Sequence, residues 1–499
     1  MAFLLLALAI VALFFLLQQL QKKFSKNKKL KLPPGPRRLP LIGNLHIVSE
    51  NLHHDLHKIA KKYGPIMSIH FGLVPIIVAS SPYAAEQFLK IHDLTFASRP
   101  SNEVSEVIFY KRRNLVSSNY GPYWRNMRKL CTLQLLSNAK IQSFQPMRKQ
   151  ELGILVNFLK QAAYDRNMID LSSKVASLSA NMSCLMIFGK KYMDEDLGEK
   201  GFRALIQDIM RIAGLPNIAE FFPFIRVLDL QGFTRRTKEL AKLFDEFLER
   251  VIDEHVGGSS EQKEAKDMVD TLVGIMQSGE AEFEFDRRHV KAILLDLLVA
   301  SIDTSATTID WILTELLRHP NVMKKLHNEL EQVVGKNRMV EESDLENLEY
   351  LDMVIKESYR LHPVAPLLIP HESIEDCTVD GFHIPKGSRL LINVWTIGRD
   401  PDIWVEPEKF KPERFQGSNI DLRGQHFELL PFGSGRRSCP GLQLGLTMVR
   451  LVVGQMVHCF DWELPNGMTL KDIDMTENFG LVTTRAQHLM LIPNYRLHI

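Results

Sequence analysis

The chain has 499 residues, 45% of them apolar and 24% charged, with a formal net charge of +2. This is the composition of an ordinary globular protein, long enough to bury a large core around a cofactor. Six lysines fall between positions 22 and 31; the remainder is mildly acidic, which argues against nucleic acid as a partner, because a nucleic-acid binder presents a basic domain.

The five cysteines (Cys131, Cys184, Cys377, Cys439 and Cys459) are odd in number and contain no C-x-x-C pair. That fits a reducing compartment better than a disulfide framework. Asn181-Met182-Ser183 matches a glycosylation acceptor, an accidental match if the body is cytosolic.

Residues 2–17 are all apolar, and the run ends at Gln18 and Gln19. It is just long enough for a bilayer core. No basic segment precedes it and the lysine cluster follows, so we expect a retained anchor over residues 1–20 with the body on the cytosolic side. Residues 21–40 form a basic, proline-rich stretch containing Leu32-Pro33-Pro34-Gly35-Pro36. Its prolines forbid helix and predict a stiff hinge. Residues 41–499 are expected to be one catalytic domain, with no internal repeat.

Short β signals occur at 66–71, 75–78, 378–384 and 389–394. Helical periodicity dominates elsewhere, notably at 234–256, 287–317, 320–334 and 345–361. The Gly/Ser/Lys/Glu-rich segment 257–266 reads as a surface loop. The predicted fold class is mainly α with a small β-rich lobe. Phe221, Phe222, Pro223 and Phe224 form an aromatic patch that is either ordinary core or a surface dipping into the membrane.

Several segments carry residues that their surroundings do not require. Trp124 and Arg128 sit four apart in a helical pattern. Asp303 and Thr304 interrupt a long apolar helix at Leu298-Val299-Ala300-Ser301-Ile302-Asp303-Thr304-Ser305; taken alone, such a threonine bonds back to its own helix. Glu357 and Arg360 are i, i+3 neighbours whose side chains meet on a helix. Leu361-His362-Pro363 follows, then Pro412-Glu413-Arg414-Phe415, then Pro431-Phe432-Gly433-Ser434-Gly435-Arg436-Arg437-Ser438-Cys439-Pro440-Gly441. The last fits F-x-x-G-x-R-x-C-x-G at every fixed position.

That segment resembles the haem-binding loop of cytochromes P450, and the other motifs follow the family's order over essentially the whole chain. The resemblance implies the cytochrome P450 fold, with haem b (iron protoporphyrin IX) between the central helix and the cysteine loop. Cys439 would be the axial ligand to the metal, a thiolate that pushes electron density onto iron and favours O–O cleavage. Gly441, Gly433 and Gly435 would allow positive φ and close approach of the backbone to sulfur. The apolar run at 442–453 would form a helix whose N-terminus lowers the thiol pKa. Phe432 would cover the sulfur side.

By the same resemblance, Trp124, Arg128 and Arg437 would reach the haem propionates, since two carboxylates in an apolar cavity need cations. His371 stands where relatives often carry another propionate arginine; its charge would depend on pH. Glu357, Arg360 and Arg414 would form a buried structural network behind the haem. Asp303 and Thr304 would deliver protons during oxygen activation. Ser301 departs from the family's usual glycine, which would ease a local opening of the helix; a serine hydroxyl can also bond an i−4 carbonyl and bend a helix.

Matching family positions place the substrate pocket at Ile108, Leu298, Ser301, Ile302, Val364, Ala365, Leu368 and Leu481. They are nearly all aliphatic, which points to a lipophilic, mostly uncharged substrate entering from the membrane. A terpenoid is favoured, with a phenolic or phenylpropanoid compound as the alternative. The wording of the segments looks like the plant A-type microsomal clan. This implies an endoplasmic-reticulum enzyme with a single-pass anchor and a cytosolic catalytic domain. It would take electrons from NADPH through NADPH–cytochrome P450 reductase, sometimes with cytochrome b5, and use O2 as co-substrate. Two other classes compete: a non-oxygenating haem-thiolate isomerase or dehydratase, which has no need for Asp303 and Thr304, and a haem carrier or membrane scaffold, which has no need for the full set of catalytic positions.

Overall fold

The structure is a computed structural model describing residues 30–192, 202–257, 266–465 and 467–499. The expected anchor and most of the loop at 257–266 lie outside the described residues. Helices make up the larger part of the molecule, and short strands gather mostly towards one side.

The central helix, Arg287–Arg318, is set by local chemistry at both ends. Asp286 caps its start, accepting from the backbone N–H groups of Arg288 at 3.0 Å and His289 at 3.2 Å. His319 closes it before Pro320, which cannot continue the same helix. Most of its side chains are buried on every side, as a helix at the centre of a large core requires. It packs against Leu171–Phe188, against Glu349–Leu361 and against Leu442–Cys459, the helix that follows Cys439. By length and apolar character Arg287–Arg318 and Leu442–Cys459 could each cross a membrane, but both are mostly buried inside the fold.

The β lobe is built on a four-stranded sheet. Ile66–Phe71 pairs antiparallel with Val74–Ala79, which pairs parallel with Arg389–Ile392, which pairs antiparallel with His371–Glu372. Two smaller apolar clusters take alternate residues of its strands and so lie on its opposite faces, separate from the main helical core. The expected strand at 389–394 stops at Ile392, because the Asn393 side chain caps the next helix by accepting from Thr396 N–H at 3.1 Å. The expected helix at 345–361 begins at Glu349, since Glu342–Asn347 forms a tighter 3₁₀ turn with its own capping pair, Glu341 and Asp344.

The described part of the proline segment is not a free hinge. Pro34 carbonyl accepts from Ser68 N–H at 2.8 Å. A Cβ at Gly35 would stand 1.9 Å from the Ser68 carbonyl oxygen, so only glycine permits this approach. Asn44 Nδ2 donates to the Pro36 and Arg37 carbonyls. Residues 34–44 are therefore clipped along the sheet edge.

The aromatic patch divides. Phe221 is buried, edge-on to Phe71 at 5.6 Å, whereas Phe224 is 67% exposed beside exposed Val227, Leu228 and Leu230. Asn181-Met182-Ser183 lies inside Leu171–Phe188 with Met182 and Ser183 buried, a poor position for a glycan.

Candidate active site

Cys439 sits in a tight loop ahead of its helix. Its N–H donates to the Phe432 carbonyl at 2.9 Å, and Ser438 N–H donates to Gly435 carbonyl at 3.1 Å. Gly435 has φ +65° and a Cβ there would be 2.4 Å from the Leu89 carbonyl oxygen, so this glycine is required on both counts. Gly441 differs from expectation. Its φ is −89°, open to any residue, and it caps the helix while its N–H donates to the cysteine sulfur. Phe432 packs edge-to-face on Tyr359, with ring centres 5.4 Å apart, and its ring also lies near Gly445.

Cys131, Cys184 and Cys459 are buried and Cys377 is half-buried, but Cys439 keeps accessible surface. Yet burial is the main influence on its thiol and raises its pKa. Both hold if the sulfur lies on the wall of an internal cavity, reachable by a small molecule but surrounded by protein. The expectation of a lowered thiol pKa fails for the protein alone: burial outweighs the Gly441 N–H and the Arg128 charge. A metal ion at the sulfur inverts this balance.

The central helix has its own accessible stripe. Ala300 is exposed and Leu297, Ser301 and Thr304 are half-buried within an otherwise buried run. These positions are three or four apart and share a face. Thr304 Oγ1 donates to Ala300 carbonyl at 2.6 Å, and Thr308 Oγ1 donates to Thr304 carbonyl at 2.9 Å. Ser301 Oγ makes no bond to an i−4 carbonyl, since it is buried without a hydrogen-bond partner. Ser179, from the neighbouring helix, donates to the Ile302 carbonyl at 2.7 Å. Asp303 is half-buried on the same turn.

Four guanidinium groups gather beside the cysteine loop. Arg437 lies over the Trp124 ring at 4.4 Å and donates to the Ala97, Leu115 and Ser118 carbonyls. Arg128 donates to Ser438 carbonyl at 3.0 Å and Ser438 Oγ at 3.2 Å. Arg99 donates to the Ile369 and Pro370 carbonyls and leaves its Nε buried without a partner. Arg112 donates to the Arg99 and Ser117 carbonyls. Burial and the neighbouring Arg99, Arg128 and Arg112 charges push Arg437 down to about 8, and burial pushes Arg99 down to about 9. Among the described residues none of the four makes an ion pair with a carboxylate. Such a concentration of unpaired cations fits a dianionic group placed beside an accessible thiol, which is the donor set of a haem with a cysteine ligand.

Trp124 spends its Nε1–H on Leu115 carbonyl at 3.0 Å, so here it supports Arg437 through its ring face. His371 is buried and linked through Nδ1 to Phe96 carbonyl at 2.8 Å. Burial and Arg99 hold its pKa well below the ordinary value. In the protein alone His371 is therefore held towards its neutral form.

Behind the loop, Arg360 Nε and Nη2 meet the two oxygens of Glu357 at 2.7 and 2.8 Å. Arg414 Nε joins Glu357 Oε1 at 2.9 Å, and Lys411 N–H donates to the same oxygen at 2.7 Å. The two arginines also take up the carbonyls of Gly398, Val405, Pro407 and Lys409.

The expected pocket residues separate into two groups. Ile108, Leu298 and Ile302 are buried within the main apolar core. Ser301, Ala365, Leu368 and Leu481 keep accessible surface, and Val364 is nearly buried. Val364 carbonyl accepts from Thr483 N–H at 2.9 Å, tying the two pocket segments together. Sequence reasoning missed Ala300, Arg99, Arg112 and Tyr359. Tyr359 bonds to Thr308 and lies close enough to Cys439 to sense its charge. Ala300 and Tyr359 lie inside motifs already read, whereas Arg99 and Arg112 carry no such local signal.

The family model described as Cytochrome P450 matches residues 33–490. The chain is 51% identical over 473 residues to cytochrome P450 CYP736A12 of Panax ginseng, covering 94% of each. It is 40% identical to melianol synthase CYP71BQ17 of Ailanthus altissima, covering 96% of this chain and 93% of that protein. It is also 40% identical to a flavonoid 3'-monooxygenase of Arabidopsis thaliana, covering 97% and 96%. A zebra fish cytochrome P450 solved with abiraterone superposes with a TM-score of 0.72 at 26% identity, covering 89% of this chain and 99% of that one.

Proposed function

The chain belongs to the cytochrome P450 family and is a haem monooxygenase, and from that premise we propose that it hydroxylates a lipophilic, mostly uncharged plant specialised metabolite, with a terpenoid favoured. The observation that carries the substrate reading is the lining of the accessible positions. Leu297, Ala300, Ala365, Leu368 and Leu481 are aliphatic, and no cation stands among them to hold a substrate carboxylate. A phenolic substrate is the second reading, because the flavonoid 3'-monooxygenase is as similar to this chain as the melianol synthase is.

Haem b, when bound, would supply the activation of O2, and Cys439 would hold it through its sulfur. Around it, Arg437, Arg128 and Arg99 would neutralise the two carboxylates, whereas His371, whose Nδ1–H is given to the Phe96 carbonyl, has no second proton to donate while neutral. Ser179 holds the helix carbonyl at Ile302, keeping the backbone opposite the reacting centre in one place. Thr304 parks its hydroxyl proton on the Ala300 carbonyl and offers its oxygen to the cavity. Rotation about χ1 hands that proton inward, and Asp303 replenishes it through water. This pair separates oxygen insertion from the isomerase and dehydratase alternatives.

Electrons come from NADPH through NADPH–cytochrome P450 reductase, with cytochrome b5 as an occasional donor. We assign the protein to the endoplasmic-reticulum membrane, with residues 1–20 as the anchor and 21–40 as the connection to the catalytic domain at 41–499. Exposed Phe224, Val227, Leu228 and Leu230 support a surface resting on lipid. Reconstitution with the reductase and a mixed panel of terpenes and flavonoids tests the substrate reading. Selective turnover of a terpene is expected; turnover of a phenolic compound alone moves the assignment to the second reading.

A further inference from the structure

One residue joins the central helix to the arginine cluster. Leu115 N–H donates to Asp296 Oδ2 at 2.7 Å, and Leu115 carbonyl accepts from Arg437 Nη1 at 3.2 Å and from Trp124 Nε1 at 3.0 Å. Asp296 lies on the central helix one turn before Ala300 and is buried. Its other donors belong to the same turn: Asn114 Nδ2 reaches Oδ1 at 2.6 Å and Val116 N–H reaches Oδ2 at 3.2 Å. Asn114 in turn holds Ser117 N–H through its side-chain oxygen and Ser118 Oγ through its carbonyl. The Ser118 carbonyl then accepts from Arg437 Nη2. The turn at 114–118 thus has a carboxylate gripping its N–H groups and a guanidinium gripping its carbonyls.

A buried carboxylate is costly without a cation, and among the described residues Asp296 makes no ion pair. Three N–H donors from one turn are what retain it there. A hydrophobic residue could fill the volume, but it could not fix which way the Leu115 and Ser118 carbonyls point.

We propose that Asp296 is a positioning residue for haem binding: by fixing the 114–118 turn it aims Arg437 at the haem carboxylates. This rests on the reading of Arg437 as a propionate partner. Burial pushes the Asp296 carboxyl up to about 7 against its three donors. The titratable groups facing it, Tyr123 and Cys131, are both shifted towards their neutral forms, chiefly by burial. Asp296 therefore gains a proton as pH falls through neutrality, and its grip on the turn is strongest above it.

The test uses the full-length holoenzyme and reads haem transfer to excess apomyoglobin, together with the haem reduction potential, across pH 6–9. Asp296→Asn keeps the volume and removes the charge. It is expected to speed haem transfer about tenfold and to abolish a pH inflection near neutrality that Asp296→Glu retains. Asn114→Ala, which leaves the central helix untouched, should move both readouts in the same direction by less. In an Arg437→Ala background the Asp296→Asn change should add under about twofold. An equal effect in both backgrounds, or none in either, overturns the proposal. If Arg437→Ala alone leaves haem transfer unchanged, the propionate reading of Arg437 falls and takes the proposal with it.

Discussion

Arg360 meets Glu357 edge to edge through two parallel hydrogen bonds, and neither side chain keeps any exposed surface. Removing one partner strands the other as a buried unpaired charge, and the stranded group costs more than the pair contributes. Glu357→Gln and Arg360→Ala are each expected to lower stability by about 3–5 kcal/mol. Chemical denaturation and the yield of haem-loaded protein check this; a variant with wild-type stability and haem content contradicts it.

Cys439→Ser replaces the soft sulfur donor with a hard, poorly ionised oxygen. The reduced, CO-bound difference spectrum of the wild type should show a strongly red-shifted Soret band that the variant lacks, with product formation lost. The same band persisting in the variant would mean that another residue ligates iron.

Thr304→Ala removes the hydroxyl bonded to Ala300 but leaves the helix backbone intact. Product formation should fall on the order of 100-fold, in the range for losing a positioned proton donor, while NADPH consumption continues. Parallel loss of both rates places the role of Thr304 elsewhere.

Gly435→Ala forces a Cβ to within 2.4 Å of the Leu89 carbonyl oxygen at a residue with positive φ. The loop must move, so destabilisation well above about 1 kcal/mol is expected. Gly441→Ala, at negative φ and with 3.9 Å between the new Cβ and the sulfur, should cost much less. Thermal denaturation of the pair checks the order.

Acid stability follows from Glu315. Burial pushes its carboxyl up, but hydrogen bonds from His319 and His362 win and hold it down to about 2. A depressed folded-state pKa stabilises the protein above the unfolded value of 4.5. That contribution is lost as pH falls from 4.5 towards 2. Glu315→Gln should therefore flatten the stability curve across this range, and denaturant titrations at several pH values measure it.

Motifs with short internal spacing were legible in the sequence. Glu357 with Arg360, and the loop from Phe432 to Gly441, lie within three to ten residues; the Glu357–Arg360 pair is present, and Gly433 and Gly435 have positive φ whereas Gly441 does not. Arg414 was readable from its own motif, although its contact with Glu357 spans 57 positions. What stayed hidden depends on packing between distant segments. Periodicity marks Leu298 and Ile302 as apolar helix positions, but it cannot tell which apolar face meets the cavity and which meets another helix. Arg99 reads as an ordinary surface arginine until the fold sets it against Arg437. The same holds for Ser179, whose hydroxyl reaches the Ile302 carbonyl from another helix.

The clip between Pro34 and Ser68 determines how the body is leashed. Leu73 N–H donates to Phe221 carbonyl at 3.1 Å, so the hairpin that receives residues 34–44 also carries the segment leading to Phe224. Residues 34–44 and the exposed Phe224, Val227, Leu228 and Leu230 are therefore joined to the same hairpin. With residues 1–20 as the proposed anchor, a body held at that corner would not swivel freely above a bilayer and would keep one flank towards the lipid.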